Sequence, residues 1–264
     1  RARRRWLHGL IMSVHTFATM GTVVSVRVPD ADAATPERST TLEAAIAQAT
    51  QAFHELDLRF SLYRDESEAT QIARGELALA SASDEMRAAY AESLEWRNRT
   101  NYTFTPHRPD GVLDLSGTIK AVGIQRAADA LTAAGFATFL INAGGDILSS
   151  GTPAEAWRVG VADPDNRDNL VTAVELTPEY CAMASSGTAE RGEHIWRRPD
   201  TDTSFRQVSV VASDIMTADV LATTIIAGGH ESLDHATANF DVGVLVVKAD
   251  GSLLGNEKFQ NLMK

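Results

Sequence analysis

Apolar residues recur along this chain in two rhythms, one helical and one of strands. Thr22-Val-Val-Ser-Val-Arg-Val28 places an apolar side chain at nearly every second position, as a half-buried strand does. Across residues 39–60, Leu42, Ile46, Ala49, Phe53 and Leu56 share one face of a 3.6-residue period, which predicts a helix. Ser83 or Asp84 can cap a second helix running to about Arg99, with Met86, Tyr90 and Leu94 turned inward. A third helix is expected from about Thr118 to Gly135, a residue suited to the left-handed position after a helix end. Residues 136–143 read as a buried strand closed by Gly144-Gly145. Strands then dominate, at 156–163, 170–177, 180–185 and 207–212. A last helix is expected from Thr217 to Gly228, stopped at Gly228-Gly229, before a final strand over 242–248 and a turn at Ala249-Asp-Gly251.

Helices and strands alternate too irregularly for a doubly wound parallel sheet. The expected class is α+β, a mostly antiparallel sheet core flanked by helices. With 264 residues the chain can bury a large core. It reads as one domain over residues 15–264, or as two closely packed lobes meeting near Gly151 or Pro153, where no flexible linker is visible. The basic start, Arg1-Ala-Arg-Arg-Arg5, precedes a short apolar run broken by His8 and Gly9, so residues 1–14 read as a disordered arm or tag remnant. Neither a cleavage site nor a cysteine for lipid attachment follows, and no stretch approaches the roughly 20 apolar residues of a membrane helix. These features predict a cytoplasmic protein without a membrane span; an exported or lipoprotein form would need a signal upstream.

The balance of 35 acidic against 24 basic residues, a net charge of −11, argues against a nucleic-acid partner. An anionic substrate would need a metal ion or helix N-termini to neutralise it. The single cysteine, Cys181, excludes an internal disulfide and a cysteine-based zinc site, and reads as a small core residue.

Four polar stretches stand out. Asp219 and Thr223 lie four residues apart on one helical face, a carboxylate and a hydroxyl suited to a hard cation such as Mg²⁺. The plainer reading makes Asp219 an early-turn charge and lets Thr223 bond its own backbone. Their neighbours are so apolar that the helix must be buried, and a buried carboxylate needs a partner. Asp114-Leu-Ser-Gly-Thr-Ile-Lys120 places Ser116, Gly117 and Thr118 at a helix start, where unpaired N–H groups can receive an anion and Lys120 can reach it; a capped helix with a solvated lysine has the same pattern. Asn142-Ala-Gly-Gly-Asp146 allows close backbone approach at its paired glycines, or is simply a tight turn. His194, in the polar loop after Ser185, is a candidate general base, as His107 and His15 are by position. Neither a Gly-x-Gly-x-x-Gly fingerprint nor a Ser-His-Asp nucleophile elbow is present.

In order, these stretches resemble the ApbE-type flavin transferases, the FAD:protein FMN transferases. Phe17-Ala-Thr-Met20-Gly21-Thr22 matches that family's aromatic-x-x-Met-Gly-Thr opening, and Phe60-Ser61-Leu62-Tyr63 followed by Ser67-Glu68 matches its next segments. Asp114 to Lys120, Asn142 to Asp146, Ser186-Gly187-Thr-Ala-Glu190-Arg191 with His194-Ile195, and Asp219 to Thr223 complete the series. The resemblance implies an ApbE-like, T-fold-like architecture and Mg²⁺-dependent transfer of FMN from FAD to a Thr or Ser hydroxyl of a partner flavoprotein, with release of AMP. It implies Mg²⁺ at Asp219, Thr223 and Gly117. It implies FAD contacts at Met20, Tyr63, Thr103, Phe104, Thr105, Asp114, Lys120 and Ile195, and catalytic roles for His194 and Lys120.

Two departures stand against the family pattern. Phe104-Thr105-Pro106 replaces Phe-Asp-Pro, with only seven residues between Pro106 and Asp114 where a longer insertion helps enclose FAD. Ala121 replaces the Gly that follows the lysine. Two other activities fit the same residues: an FAD pyrophosphatase releasing FMN and AMP, and a non-catalytic flavin-binding protein.

Overall fold

A computed structural model of the protein describes residues 12–153, 156–166, 168–187 and 205–263. In chain order the elements are β1 (Met12–Thr19), β2 (Thr22–Pro29), α1 (Pro36–Phe60), α2 (Glu68–Ala73), α3 (Asp84–Arg99), α4 (Ser116–Ala133), β3 (Phe139–Ala143), β4 (Asp146–Ser150), β5 (Arg158–Ala162), β6 (Leu170–Glu175), β7 (Ala182–Gly187), β8 (Phe205–Ala212), α5 (Ile215–Asn239), β9 (Gly243–Lys248), β10 (Leu253–Gly255) and α6 (Glu257–Leu262).

Eight strands form one sheet in the order β1-β2-β3-β4-β7-β8-β9-β10, and every neighbouring pair is antiparallel. The α+β expectation therefore holds. Both faces of the central strands are covered. On one face Val24, Val26, Ile141, Leu148, Ala184 and Val210 pack under α1, α4 and α5. On the other, Leu140, Ile147, Met183, Val211 and Leu245 pack under the β5–β6 hairpin and α6. Neighbouring residues such as Leu140 and Ile141, or Val210 and Val211, thus serve opposite cores. That is why these strands read as apolar runs rather than alternations.

The helices begin where their caps are. Thr35 accepts the Arg38 N–H before α1, Ser83 accepts the Met86 N–H before α3, and Asp214 accepts the Thr217 N–H before α5. Ser67 caps α2 and also donates to the Ser61 carbonyl at 2.5 Å. The adjoining Glu68 accepts from the Ser83 N–H at 2.9 Å and from Arg59 at 3.2 Å, so the Ser67-Glu68 pair ties α1, α2 and the start of α3 together. Burial works to raise the Glu68 pKa, but the Ser83 donors and the Arg59 guanidinium outweigh it and hold the carboxyl below its usual range.

Several elements differ from expectation. β1 begins at Met12, inside the stretch read as an arm, because residues 12–19 pair in full register with β2. This is an edge strand, and its mixed polar sequence hides it. α2 and β4 were not expected; β4 follows from the two-glycine turn, which folds Asp146–Ser150 back onto β3. On α3 the buried residues are Met86, Ser93 and Trp96, while Tyr90 and Leu94 are half-buried. Cys181 lies at the edge of the core, half-buried, where burial pushes its thiol pKa up and its S–H donates to the Ser213 carbonyl. The first helical stretch of α5 breaks at Gly229, φ 63° and ψ −144°, at the glycine pair where it was expected to end, and a second stretch follows directly to Asn239. Among the described residues no helix is long and apolar enough to cross a membrane.

The packing of α1 on α4 leaves no room at Gly123. A Cβ there would lie 2.5 Å from the Phe53 ring, which is fully buried. Gly123→Ala is expected to lower unfolding free energy by about 1–3 kcal/mol, measured by chemical denaturation. An unchanged midpoint would show that α1 and α4 are not in contact at this level.

Candidate active site

The sheet brings three of the four polar stretches to one place. Asn142-Ala-Gly-Gly-Asp146 is the β3–β4 hairpin, in which Ala143 pairs with Asp146 across Gly144 and Gly145. Both glycines have positive φ, 65° and 102°, which a two-residue turn of this kind requires. The Asn142 side chain accepts the Gly145 N–H at 2.9 Å and locks the turn. Asp146 is thereby fixed at the start of a central strand, 1% exposed, where its Oδ1 accepts the Ser185 N–H of β7 at 3.3 Å.

Lys120 projects from α4 just past its first turn. Its ammonium is in direct ion contact with Asp146 and lies 3.9 Å from Asp219 Oδ2. Asp219 is 4% exposed on α5, between the fully buried Ala218 and Val220. Two acidic side chains inside the fold are tolerable only with such a partner. One turn further along α5, the Thr223 hydroxyl meets the Ser186 hydroxyl of β7 at 3.1 Å, and the adjacent Ser185 hydroxyl meets Ser209 at 2.8 Å. The back-bond to position i−4 belongs to Thr224, which donates to the Val220 carbonyl at 2.7 Å. The plain reading of Asp219 as a helix-start charge also fails, because Asp214 is the cap and Asp219 sits more than a turn inside.

The start of α4 lacks a side-chain cap at Leu115; Asp114 instead accepts the Ser116 N–H at 2.9 Å. The Asp114 N–H donates to the Pro106 carbonyl at 2.8 Å, joining this loop to the segment 103–106. Phe104 is 7% exposed and packs against Trp96 and Val220. A Cβ on Gly117 would stand 2.8 Å from its ring, so only glycine lets the α4 start rest on Phe104. Thr103 accepts from Ser232 of α5 at 3.4 Å, and Thr105 accepts the His107 N–H at 3.2 Å.

Met20 packs against the cluster that holds Leu115 and Ile119, beside the Asp114–Lys120 segment, and its turn adjoins the β3–β4 hairpin, where the Gly144 N–H donates to the Val23 carbonyl at 3.3 Å. Met20, at φ 46°, and Gly21 form the β1–β2 turn and line an open hollow of about 510 Å³ with Asp57 and Arg64. Lys120, Asp146 and Asp219 are not among the residues lining it. Tyr63 is 87% exposed on the connection leaving α1. Of the other histidines, His107 bonds the Tyr90 hydroxyl at 3.2 Å and His15 sits half-buried on β1. His194, Ile195, Glu190 and Arg191 lie outside the described residues; the chain carrying them follows Gly187, next to Ser186.

Asp146, Ser185 and Ser186 were not singled out as site side chains. The available signal was a carboxylate at the start of an apolar strand, which burial obliges to find a partner. Among the described residues no three His, Cys, Asp or Glu side chains converge as a metal cluster. The donors that do gather are hard oxygens: the Asp219 carboxylate, the Thr223 and Ser186 hydroxyls, and Asp146 beyond Lys120. That set fits Mg²⁺, which takes one or two carboxylates and keeps several waters, and does not fit a soft transition metal.

The model of the ApbE family matches residues 107–246, just over half of the chain. The FAD:protein FMN transferase of Haemophilus influenzae is 23% identical over 171 residues, and that of Rhodobacter capsulatus 30% over 174. These alignments cover 60% and 61% of this chain but 49% and 33% of those proteins, so the chain spans half their length or less. The crystal structure of the ApbE protein from Thermotoga maritima superposes with a TM-score of 0.78 at 18% identity, covering 96% of this chain and 100% of its own, a likeness of fold. With its hairpin, helix start and Asp-x-x-x-Thr helix assembled on the fold of its relatives, the chain belongs to the ApbE family.

Proposed function

We propose that the chain is an FAD:protein FMN transferase that uses Mg²⁺, with FAD as donor and a Thr or Ser hydroxyl of a partner flavoprotein as acceptor. The observation carrying this reading is that Lys120 of α4 lies 3.9 Å from Asp219 of α5, one helical turn before the Thr223 hydroxyl that meets Ser186. A pyrophosphate is the substrate group that needs this combination: a cation at a helix start, next to a hard-oxygen metal site. It also reconciles an acidic protein with an anionic substrate.

In the reaction, the acceptor oxygen forms a bond to the phosphorus of the FMN half. The bond from that phosphorus to the bridging oxygen breaks, and AMP leaves with the electron pair. The hydroxyl proton passes to His194, the candidate base. Lys120 orients the phosphates, and the Ser116–Thr118 turn offers its backbone N–H groups to them. Asp219 and Thr223, with the Gly117 carbonyl, would hold Mg²⁺, which when bound supplies neutralisation of pyrophosphate charge. Phe104 supports Gly117 from beneath, so the segment shortened before Asp114 still bears on the site through packing.

Asp219→Ala is expected to reduce Mg²⁺-dependent AMP release from FAD by at least about 100-fold. AMP production at the wild-type rate would remove the metal assignment. His194→Ala is expected to retain FAD affinity, read by flavin fluorescence, while acceptor modification slows by about 100-fold or more. A full transfer rate would exclude His194 as the base. Mass spectrometry of a co-expressed acceptor separates transfer from hydrolysis: AMP formed without an added FMN on the acceptor would make water the nucleophile.

A further inference from the structure

Ser93 is fully buried in the interior of α3, yet its hydroxyl serves a neighbouring helix. It lies 3.1 Å from the hydroxyl of Thr118, itself 1% exposed in the first turn of α4. We propose that Ser93 is a positioning residue for the metal: through Thr118 it fixes the first turn of α4, and with it the Gly117 carbonyl that would face Mg²⁺. This inference rests on the metal reading of Asp219, Thr223 and Gly117 given above. The two hydroxyls form a directed chain. Thr118 Oγ1 donates to the Leu115 carbonyl at 3.1 Å, which uses its one proton, so Ser93 is the donor to Thr118. The same Leu115 carbonyl receives the Thr118 and Ile119 N–H groups at 3.0 and 3.1 Å. A serine inside a helix can bond the carbonyl one turn back; Ser93 orders the start of α4 instead, where Leu115 supplies no side-chain cap.

Gly117 has no side chain to hold it, so its carbonyl depends on its neighbours. The Phe104 ring supports it from one side and Thr118 follows it directly on the other. Both supports lead back to α3, because Trp96, on the turn after Ser93, packs against Phe104. Deleting the Ser93 hydroxyl leaves the Trp96–Phe104 packing in place and loosens only the Thr118 side. A metal must then order the turn as it binds, at a cost in affinity. A hydroxyl pair that only joined α3 to α4 would change unfolding free energy and leave metal affinity as it was.

The test is calorimetric titration of MgCl₂ into the FAD-free protein, at a temperature where circular dichroism shows each variant folded. Ser93→Ala is expected to weaken Mg²⁺ binding about tenfold, the size typical when a group that orients a ligand is lost. Thr118→Val is nearly isosteric, removes both hydroxyl bonds and is expected to weaken binding at least as much. Adding Ser93→Ala to Thr118→Val is expected to change affinity by no more than about twofold, since the route through Thr118 is already cut. Thr118→Ser keeps the hydroxyl, loses only the methyl and is expected to stay within about threefold of wild type. Unchanged affinity in Ser93→Ala or Thr118→Val overturns the proposal, as do losses that add in the double variant. A Thr118→Ser protein as weak as Thr118→Val also overturns it, by making the role one of packing. In these cases wild-type binding that Asp219→Ala abolishes leaves the metal reading intact. A wild-type protein showing no such binding would overturn the metal reading itself, and this proposal with it.

Discussion

The structure depends on one constraint: charge placed inside an antiparallel sheet and its covering helices has to be balanced where it sits. Asp146 and Asp219 come from a hairpin and a helix that share no sequence neighbourhood, and Lys120 comes from a third element. Their mutual satisfaction fixes how α4 and α5 approach the β3–β4 turn. Removing Lys120 would take away the cation that both aspartates share, and uncompensated buried charge costs more than such a group stabilises. An arrangement of this kind therefore specifies geometry more than it adds stability.

Around that group the fold separates its tasks. One apolar layer, under α1, α4 and α5, holds the helices that carry Lys120 and Asp219. The other, under the β5–β6 hairpin and α6, stiffens the strands from behind. The Ser67-Glu68 pair looks like chemistry in the sequence, but it serves as a staple between α1, α2 and α3. The buried Phe104 ring sets the height of Gly117.

Much of this was legible before the fold was seen. Helices with side-chain caps and one apolar face, such as α1 and α3, were read close to their true bounds, since cap and periodicity are local signals. Asp219, Thr223, Lys120 and Gly117 stand out in the sequence because their spacing within each segment is local. What escaped depends on distant pairing. β1 is a polar edge strand defined only by its register with β2, and β4 is short and follows a turn. Asp146 was visible as a turn residue, but not as a counter-charge, because the ammonium it meets lies 26 residues away on another element. The Ser186–Thr223 contact required knowing that β7 runs beside α5.

The interruption at Gly229 gives α5 two jobs on one continuous backbone. Its first half carries Asp219 and Thr223 against the sheet. Its second half carries Ser232, which meets Thr103, and His235, whose Nε2–H donates to the Arg99 carbonyl at 2.8 Å. The stretch from Arg99 to Thr103, which leads into Phe104 and on to Asp114, is moored to the second half of α5, beyond the break that follows the half bearing Asp219. Each half of α5 therefore anchors a different neighbour, and the backbone turn at Gly229 sets the direction in which the second half leaves the first.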